Sequence, residues 1–323
     1  MSETRVGIVA VLGKPNVGKS TLINAIVGQK VSIVSNKPQT TRRRVIGIAN
    51  GTSHVPDPAQ PKPTEIGEPI PTVEANFQIV FLDTPGIHEP HTQLGKAMVD
   101  HARAALTDID LLLFVGDGSH HPGEQDQRIA SLIAAHRKER PTTTLLCLNK
   151  MDLLKASDVE RNIEAFQTLI PCDDYMLTTA TTGINIDKLV AQIVERLPVG
   201  EVMYDEDEFT DQSSRFLAGE LVREQILRAT REEIPHSTAV MVDTWEQEPH
   251  ILRIGATILV ERSSQRGIII GKGGQFLKTI GTKAREEIEK LLGTKVHLDL
   301  HVKVSEDWRQ NPRILHELDY DPS

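Results

Sequence analysis

Val6-Gly7-Ile8-Val9-Ala10-Val11-Leu12-Gly13-Lys14-Pro15-Asn16-Val17-Gly18-Lys19-Ser20-Thr21-Leu22 decides the fold. Its opening, Val6–Leu12, is apolar throughout, as a strand buried on both faces must be. Its close runs on through Ile23–Val27 to Gly28, the form of a short helix with a C-terminal glycine. Between them Gly13–Ser20 spells GxxxxGK[ST], the phosphate-binding loop. Gly13 and Gly18 let the backbone turn successive N–H groups toward phosphate oxygens, and the new helix adds its positive dipole end. Lys19 reaches the β- and γ-phosphates, and the Ser20 hydroxyl is placed to ligate Mg²⁺. Lys14, Pro15, Asn16, Val17 and Thr21 complete the nucleotide-facing set.

Downstream motifs fall in the order a nucleotide switch needs. Phe77–Leu82 reads as a strand ending in Asp83-Thr84-Pro85-Gly86. An acid there holds Mg²⁺ through water, and the Gly86 N–H is free to approach the γ-phosphate. Ile87 stands where a water-orienting Gln would, so no side chain of this motif positions the attacking water. Between the two motifs lies Gln39-Thr40-Thr41-Arg42-Arg43-Arg44, where one threonine hydroxyl would complete the Mg²⁺ sphere when a γ-phosphate is present. Leu111–Val115 and Thr144–Leu148 read as further buried strands. The second ends in Asn149-Lys150-Met151-Asp152, a guanine-reading NKxD. One carboxylate, Asp152, can accept from guanine N1–H and the exocyclic amine together; adenine offers neither donor in that geometry. Asn149 ties the loop and the Lys150 stem covers the base. In the last motif, Thr178-Thr179-Ala180, the Ala180 N–H points to guanine O6. Strands and helices alternate across 1–196, which predicts an α/β P-loop domain with a parallel sheet flanked by helices.

Asn50–Ala75 interrupts that alternation. Its prolines, Pro56, Pro58, Pro61, Pro63, Pro69 and Pro71, cannot sit in a central strand, so the tract reads as a disordered or extended surface loop. His88–Gly95 reads as a polar, mobile segment.

Composition sets bounds. A chain of 323 residues, 39% hydrophobic and 25% charged, suits two soluble domains. No apolar run approaches the ~20 residues of a membrane span, and the N-terminus enters a strand without a signal peptide. Cys147, in an apolar run, is core filler, and two cysteines fit a reducing cytosol. His120-His121 reads as a solvated loop. A net charge of −9 argues against indiscriminate nucleic-acid binding, so any RNA site is a local patch.

After Pro198, Glu201–Asp211 reads as a solvated acidic linker, dividing the chain into 1–197, 198–211 and 212–323. Residues 213–231 are helical, 237–246 and 251–261 are strands, and Ile268-Ile269-Ile270 leads into Gly271-Lys272-Gly273-Gly274, a helix and a last strand. That order, α-β-β-α-GxxG-α-β, matches a type II KH domain. A GxxG loop keeps no side chain between itself and a sugar-phosphate backbone, and KH folds clamp about four nucleotides there. Residues 197–323 hold 16 Lys and Arg against 23 Asp and Glu, yet Arg262, Arg266, Lys272, Lys278, Lys283 and Arg285 fall in an acid-free stretch. With Ile270 and the loop itself, Arg262, Arg266, Lys272 and Lys278 are the candidate RNA contacts.

GKPNVGKS, QTTRR, DTPG, NKMD and TTA, followed by an acidic linker and IIGKGG, resemble the Era family of bacterial GTPases over nearly the whole chain; Ser214–Gln225 and Trp308–Arg313 resemble it too. The resemblance implies a slow Mg²⁺-dependent GTPase, cycling between GTP and GDP, that binds the 3′ region of small-subunit (16S) ribosomal RNA and promotes 30S assembly. It implies that Thr41 is the switch ligand and that Asn16 helps hold a K⁺ ion. It implies a cytoplasmic monomer with peripheral membrane association, although no amphipathic anchor is legible. Two features depart from the pattern: the Pro-rich 55–71 tract is an insertion, and Thr179 stands where Ser is usual. The alternative is an RNA-binding adaptor whose nucleotide site only senses a ligand; an ATP-using enzyme would need something other than Asp152 at the base.

Overall fold

The computed structural model describes residues 4–37, 40–57, 60, 70–86, 92–170 and 172–320. The readings made on Gln39, Ile87, Pro58, Pro61, Pro63 and Pro69 lie outside those residues. By internal contact the chain forms two units.

In the first unit the elements run β1 (Thr4–Leu12), α1 (Lys19–Val27), β2 (Val45–Pro56), β3 (Thr72–Asp83), α2 (Gln93–Ala104), β4 (Leu111–Asp117), α3 (Glu124–Glu139), β5 (Thr143–Asn149), α4 (Val159–Leu169), β6 (Asp174–Leu177) and α5 (Ile186–Arg196). The strands form one sheet in the order β2-β3-β1-β4-β5-β6. β3, β1, β4, β5 and β6 run parallel. Every residue of β4 is buried, which explains its unbroken apolar run. One apolar layer packs Val9, Val11 and Leu113 against Leu22 and Ile193; the other packs Ala10, Leu12 and Phe114 against Ile129 and Phe166. The switch points of this sheet bring the carboxyl ends of β1, β3, β4 and β5 together.

The surface-loop expectation for Asn50–Ala75 is corrected at its two ends. β2 pairs antiparallel with β3 from Val45↔Asp83 to Pro56↔Thr72, and the Asp57 amide donates to the Pro71 carbonyl at 2.9 Å. The sheet is therefore mixed, not wholly parallel. β2 is the edge strand, where a proline at the last rung removes no ladder bond needed by a neighbour. Of the segment read as mobile, His88–Gly95, residues 88–91 lie outside the described residues, and Gln93-Leu94-Gly95 open α2.

The 201–211 linker keeps its carboxylates in water, but its main chain is held. Gln78, 1% exposed inside the sheet, accepts from the Met203 and Tyr204 amides at 2.6 and 3.1 Å, and the Ile48 amide donates to the Phe209 carbonyl at 2.9 Å.

The second unit comprises α6 (Ser214–Ala229), α7 (Ile234–Ser237), β7 (Ala239–Gln247), β8 (Leu252–Val260), α8 (Ser263–Ile270), α9 (Gln275–Leu292), β9 (Val296–Val304) and α10 (Pro312–Glu317). Its sheet runs β7-β8-β9, antiparallel then parallel. Leu221, Ile226, Ile258, Ile280 and Ile288 lie in its core; on α9 Ile280, Ala284 and Ile288 recur every fourth residue on one face, whereas α6 is buried on nearly every side from Leu217 to Leu227. The described residues of Ile33–Arg43 and of His88–His101 also belong to this unit.

Candidate functional site: a nucleotide pocket and a groove beside GxxG

β1 delivers the phosphate loop and α1 receives it. The N-cap of α1 is Gly18, at φ +101°, and a Cβ there would lie 2.3 Å from Asn149 Nδ2. No side chain caps the helix, so its first amides face the loop. The Lys19 ammonium is buried and donates to the carbonyls of Gly13 at 2.9 Å and Lys14 at 3.2 Å. Burial pushes it down to about 8, against the opposing pull of Asp83.

Ser20 and Asp83, from different elements, meet here: the Ser20 hydroxyl donates to Asp83 Oδ2 at 2.7 Å. A hydroxyl and a carboxylate converging beside a phosphate cradle are the hard-oxygen donors that suit Mg²⁺. Thr84 Oγ1 donates to the Val11 carbonyl at 2.7 Å, fixing DTPG on β1. Gly86 packs so closely on the loop that a Cβ would sit 2.8 Å from the Pro15 nitrogen.

Asn149 joins three of the predicted segments. Its Nδ2 donates to the Val17 carbonyl at 2.9 Å, and its Oδ1 accepts from the Ala180 amide at 2.9 Å and from Thr178 Oγ1 at 3.3 Å. The Ala180 amide, read as a donor to guanine O6, is thus bound to Asn149 here, as a buried amide takes the nearest acceptor. Met151 and Asp152 begin a single 3₁₀ turn, with Asp152 exposed at its rim. Thr179 is buried beside Ala180.

Two acids escaped the sequence reading. Asp117, at the end of β4, accepts from Lys150 Nζ at 2.8 Å, while its other oxygen accepts from the Ser119 amide at 3.1 Å and hydroxyl at 2.5 Å. Burial pushes this carboxyl up, but the Lys150 and Ser119 bonds outweigh it and hold it below its ordinary value. Asp126, on α3, pairs with Lys14 at 2.8 Å. An acid closing a buried strand next to NKxD was the one available signal for Asp117. Cys147 fits its assignment: it is buried, and burial raises its thiol to about 12.

In the second unit α8 and α9 meet at the glycine loop, where Gly271, Gly273 and Gly274 take φ of +71°, +59° and +77°. A Cβ on Gly271 would stand 2.5 Å from that of Phe276, whereas nothing lies within 4 Å of one on Gly273 or Gly274. The loop is packed at its start and open at its end. A groove of about 420 Å³ leads away from Gly274, with Lys278 and Arg285 on its α9 wall and His297 and Leu300 on β9. β9 is a sheet edge, so its backbone groups can also meet a ligand. Lys278 and Gly274 are thus brought together, with Arg285 added. Arg262, Arg266 and Lys272 are exposed nearby in sequence but do not line this groove, and Ile270 is half-buried.

Thr41, the threonine expected to switch, sits in a held segment. Val34 N–H donates to buried Glu224 at 2.8 Å, and Arg223 donates to the Thr40 carbonyl. Arg42, 1% exposed, donates to the carbonyls of Thr238 at 2.7 Å and Pro235 at 3.2 Å, with Trp308 and Tyr320 rings 5.6 and 5.8 Å from its guanidinium carbon. Leu94 and Met98 of α2 pack with Trp308, Leu315 and Leu318. Thr41 therefore lies between two residues anchored in the second unit.

A family described as 50S ribosome-binding GTPase matches residues 8–150, and one described as KH domain matches 233–309. GTPase Era of Heliobacterium modesticaldum is 42% identical over 322 residues, 99% of this chain and 99% of that protein. GTPase Era of Geobacter metallireducens is 43% identical over 318 residues, 98% of each. A crystal structure of an Aquifex aeolicus Era variant bound to GDP and AlF4⁻ superposes with a TM-score of 0.86 at 39% identity, covering 98% of this chain and 100% of that one. A crystal structure of Era in complex with MgGDPNP and nucleotides 1506–1542 of 16S ribosomal RNA gives 0.86 at 38% identity, covering 99% and 100%.

Proposed function

The chain belongs to the Era family of GTPases and hydrolyses GTP; from that premise we propose that its KH groove binds the 3′ region of small-subunit ribosomal RNA and that the protein promotes 30S assembly in the cytoplasm. The observation that carries this reading is the open end of the glycine loop, feeding a groove walled by Lys278 and Arg285. The Era crystallised with 16S ribosomal RNA supports it, at 38% identity over 99% of this chain. Among the described residues no helix is long and apolar enough to cross a membrane.

In the nucleotide site, Lys19 binds the β- and γ-phosphates, the loop amides hold the remaining phosphate oxygens, and Asp152 reads guanine. Ser20 and Asp83 would hold Mg²⁺, which neutralises charge on the phosphate oxygens, with Thr41 joining in the GTP state. Catalysis is positioning and charge neutralisation, with no side-chain general base. Asn16 would help hold K⁺, which substituting NaCl for KCl in a turnover assay tests directly. GTP orders Thr40–Arg44 and Asp83–Gly86, and hydrolysis releases them.

The test is crosslinking and sequencing of bound RNA with GTP against GDP, in the natural chain and in Lys272→Asp/Gly273→Asp. Asp tolerates the left-handed backbone better than most residues and meets no neighbour at 273, so the fold survives while phosphate is repelled. The expected result is loss of the 16S 3′ crosslinks with GTP turnover intact; crosslinks that persist in the variant exclude the glycine loop as the RNA clamp.

A further inference from the structure

Asp126 is a fully buried carboxylate that the nucleotide chemistry above does not use. Its Oδ2 accepts from Lys14 Nζ at 2.8 Å and from the Gly123 amide at 2.9 Å, and its Oδ1 has no partner among the described residues. A buried carboxylate is costly without a counter-charge, so Lys14, 21% exposed at its side chain, is held to it strongly. Lys14 lies inside the phosphate loop, and its own carbonyl accepts from the Lys19 ammonium at 3.2 Å. The residue after it, Pro15, is the one Gly86 packs against. A run of charged bonds therefore leads from α3 through Lys14 to the cation that meets phosphate.

We propose that Asp126 is a positioning residue for the phosphate half of the pocket. It pins Lys14, and through it the floor of the loop, and it occupies the Lys14 charge so that Lys19 alone meets the terminal phosphates. The proposal rests on the nucleotide reading of this pocket. Asp126 also caps α3 through the Gly123 amide, which is a structural duty. Asp126→Asn separates the two roles: the amide oxygen can still accept from Gly123, while the Lys14 ammonium loses its counter-charge. Lys14→Met breaks the same pair and leaves the cap untouched.

The experiment measures dissociation constants of the full-length chain for GMP, GDP and GTP, with Mg²⁺, by competition against a fluorescent GDP analogue. Thermal unfolding without nucleotide is recorded alongside. Asp126→Asn is expected to weaken GDP and GTP by about 10- to 100-fold, the worth of one hydrogen bond to a charged group. GMP, which lacks the phosphates the loop floor cradles, should change little. Lys14→Met should behave alike, and the double variant should be no worse than the weaker single one, as partners in one interaction are non-additive. Should Asp126→Asn fail to fold, Lys14→Met carries the test alone. Tighter GTP binding in Asp126→Asn would overturn the proposal, because Lys14 would then be a phosphate ligand that Asp126 restrains. Equal losses for GMP and GTP, or none, would overturn it too. If the natural chain bound neither GDP nor GTP, the pocket reading itself would fall; if only the variants are silent, this proposal alone does.

Discussion

At the scale of single residues, Lys19 makes nucleotide binding sensitive to pH. Its folded value of about 8 lies below the ordinary 10.5. Under pH 8 the ammonium is charged folded or unfolded, and its burial counts fully against the fold. Between 8 and 10.5 the folded protein gives up the proton first, so nucleotide-free stability from this group rises with pH, by about 3 kcal/mol at most. Phosphate favours the charged form. GDP binding in that window should therefore take up a proton, and affinity should fall as pH climbs, which calorimetry in buffers of differing ionisation enthalpy would read. Asp117→Asn should act on the other half of the pocket. If the Lys150 stem covers the base as proposed, freeing it from its carboxylate should loosen that cover, so GMP, GDP and GTP should all weaken by a similar factor, about tenfold. A loss confined to GDP and GTP would refute that role. The motif residues could be named from sequence because each stands in a short pattern of fixed local spacing, although Ser20 and Asp83 meet across 63 residues and Asn149 and Val17 across 132. Asp117 and Asp126 stand in no such pattern, and their partners Lys150 and Lys14 lie 33 and 112 residues away.

At the scale of elements, β1, β3, β4 and β5 could be read from apolar runs, and the KH order from strand and helix periods around GxxG. β2 could not. Its proline-bearing end looks like a breaker, and only the register from Val45 to Pro56 against Asp83 to Thr72 shows it to be a sheet edge that tolerates one. The Asp57 amide to Pro71 carbonyl bond closes that ladder, so the residues beyond it should be dispensable to the domain. Replacing 58–70 with a short Gly/Asn turn should raise the stability of the nucleotide-free protein by about 1 kcal/mol, since a shorter loop costs less to close. GTP turnover should be unchanged. A drop in turnover would show that the insertion reaches the switch.

For the molecule as a whole, the second unit is discontinuous in sequence. It completes its core with Ile33 and grips Arg42 with main-chain carbonyls and aromatic rings. Nothing in the composition of QTTRRR sets the buried Arg42 apart from the half-buried Arg43 or the exposed Arg44, which is why the segment read only as a switch loop. Arg42→Ala should cost about 2–4 kcal/mol in urea unfolding, from the cavity and the stranded carbonyls together. It should also shrink the ratio of RNA affinities between GTP and GDP states, because Thr41 loses its anchored neighbour. An unchanged ratio would mean the two halves communicate by another route.

Arg42 also bears on any attempt to cut the protein apart. A recombinant KH piece beginning at Gln212 would carry Trp308 and Tyr320 without the cation that stacks on them, and the acceptors at Pro235 and Thr238 would turn to water. Such a piece is not a transplantable module. Supplying a synthetic peptide of residues 33–43 in trans should refill the slot and restore its melting behaviour, making the arginine a plug whose docking can be titrated.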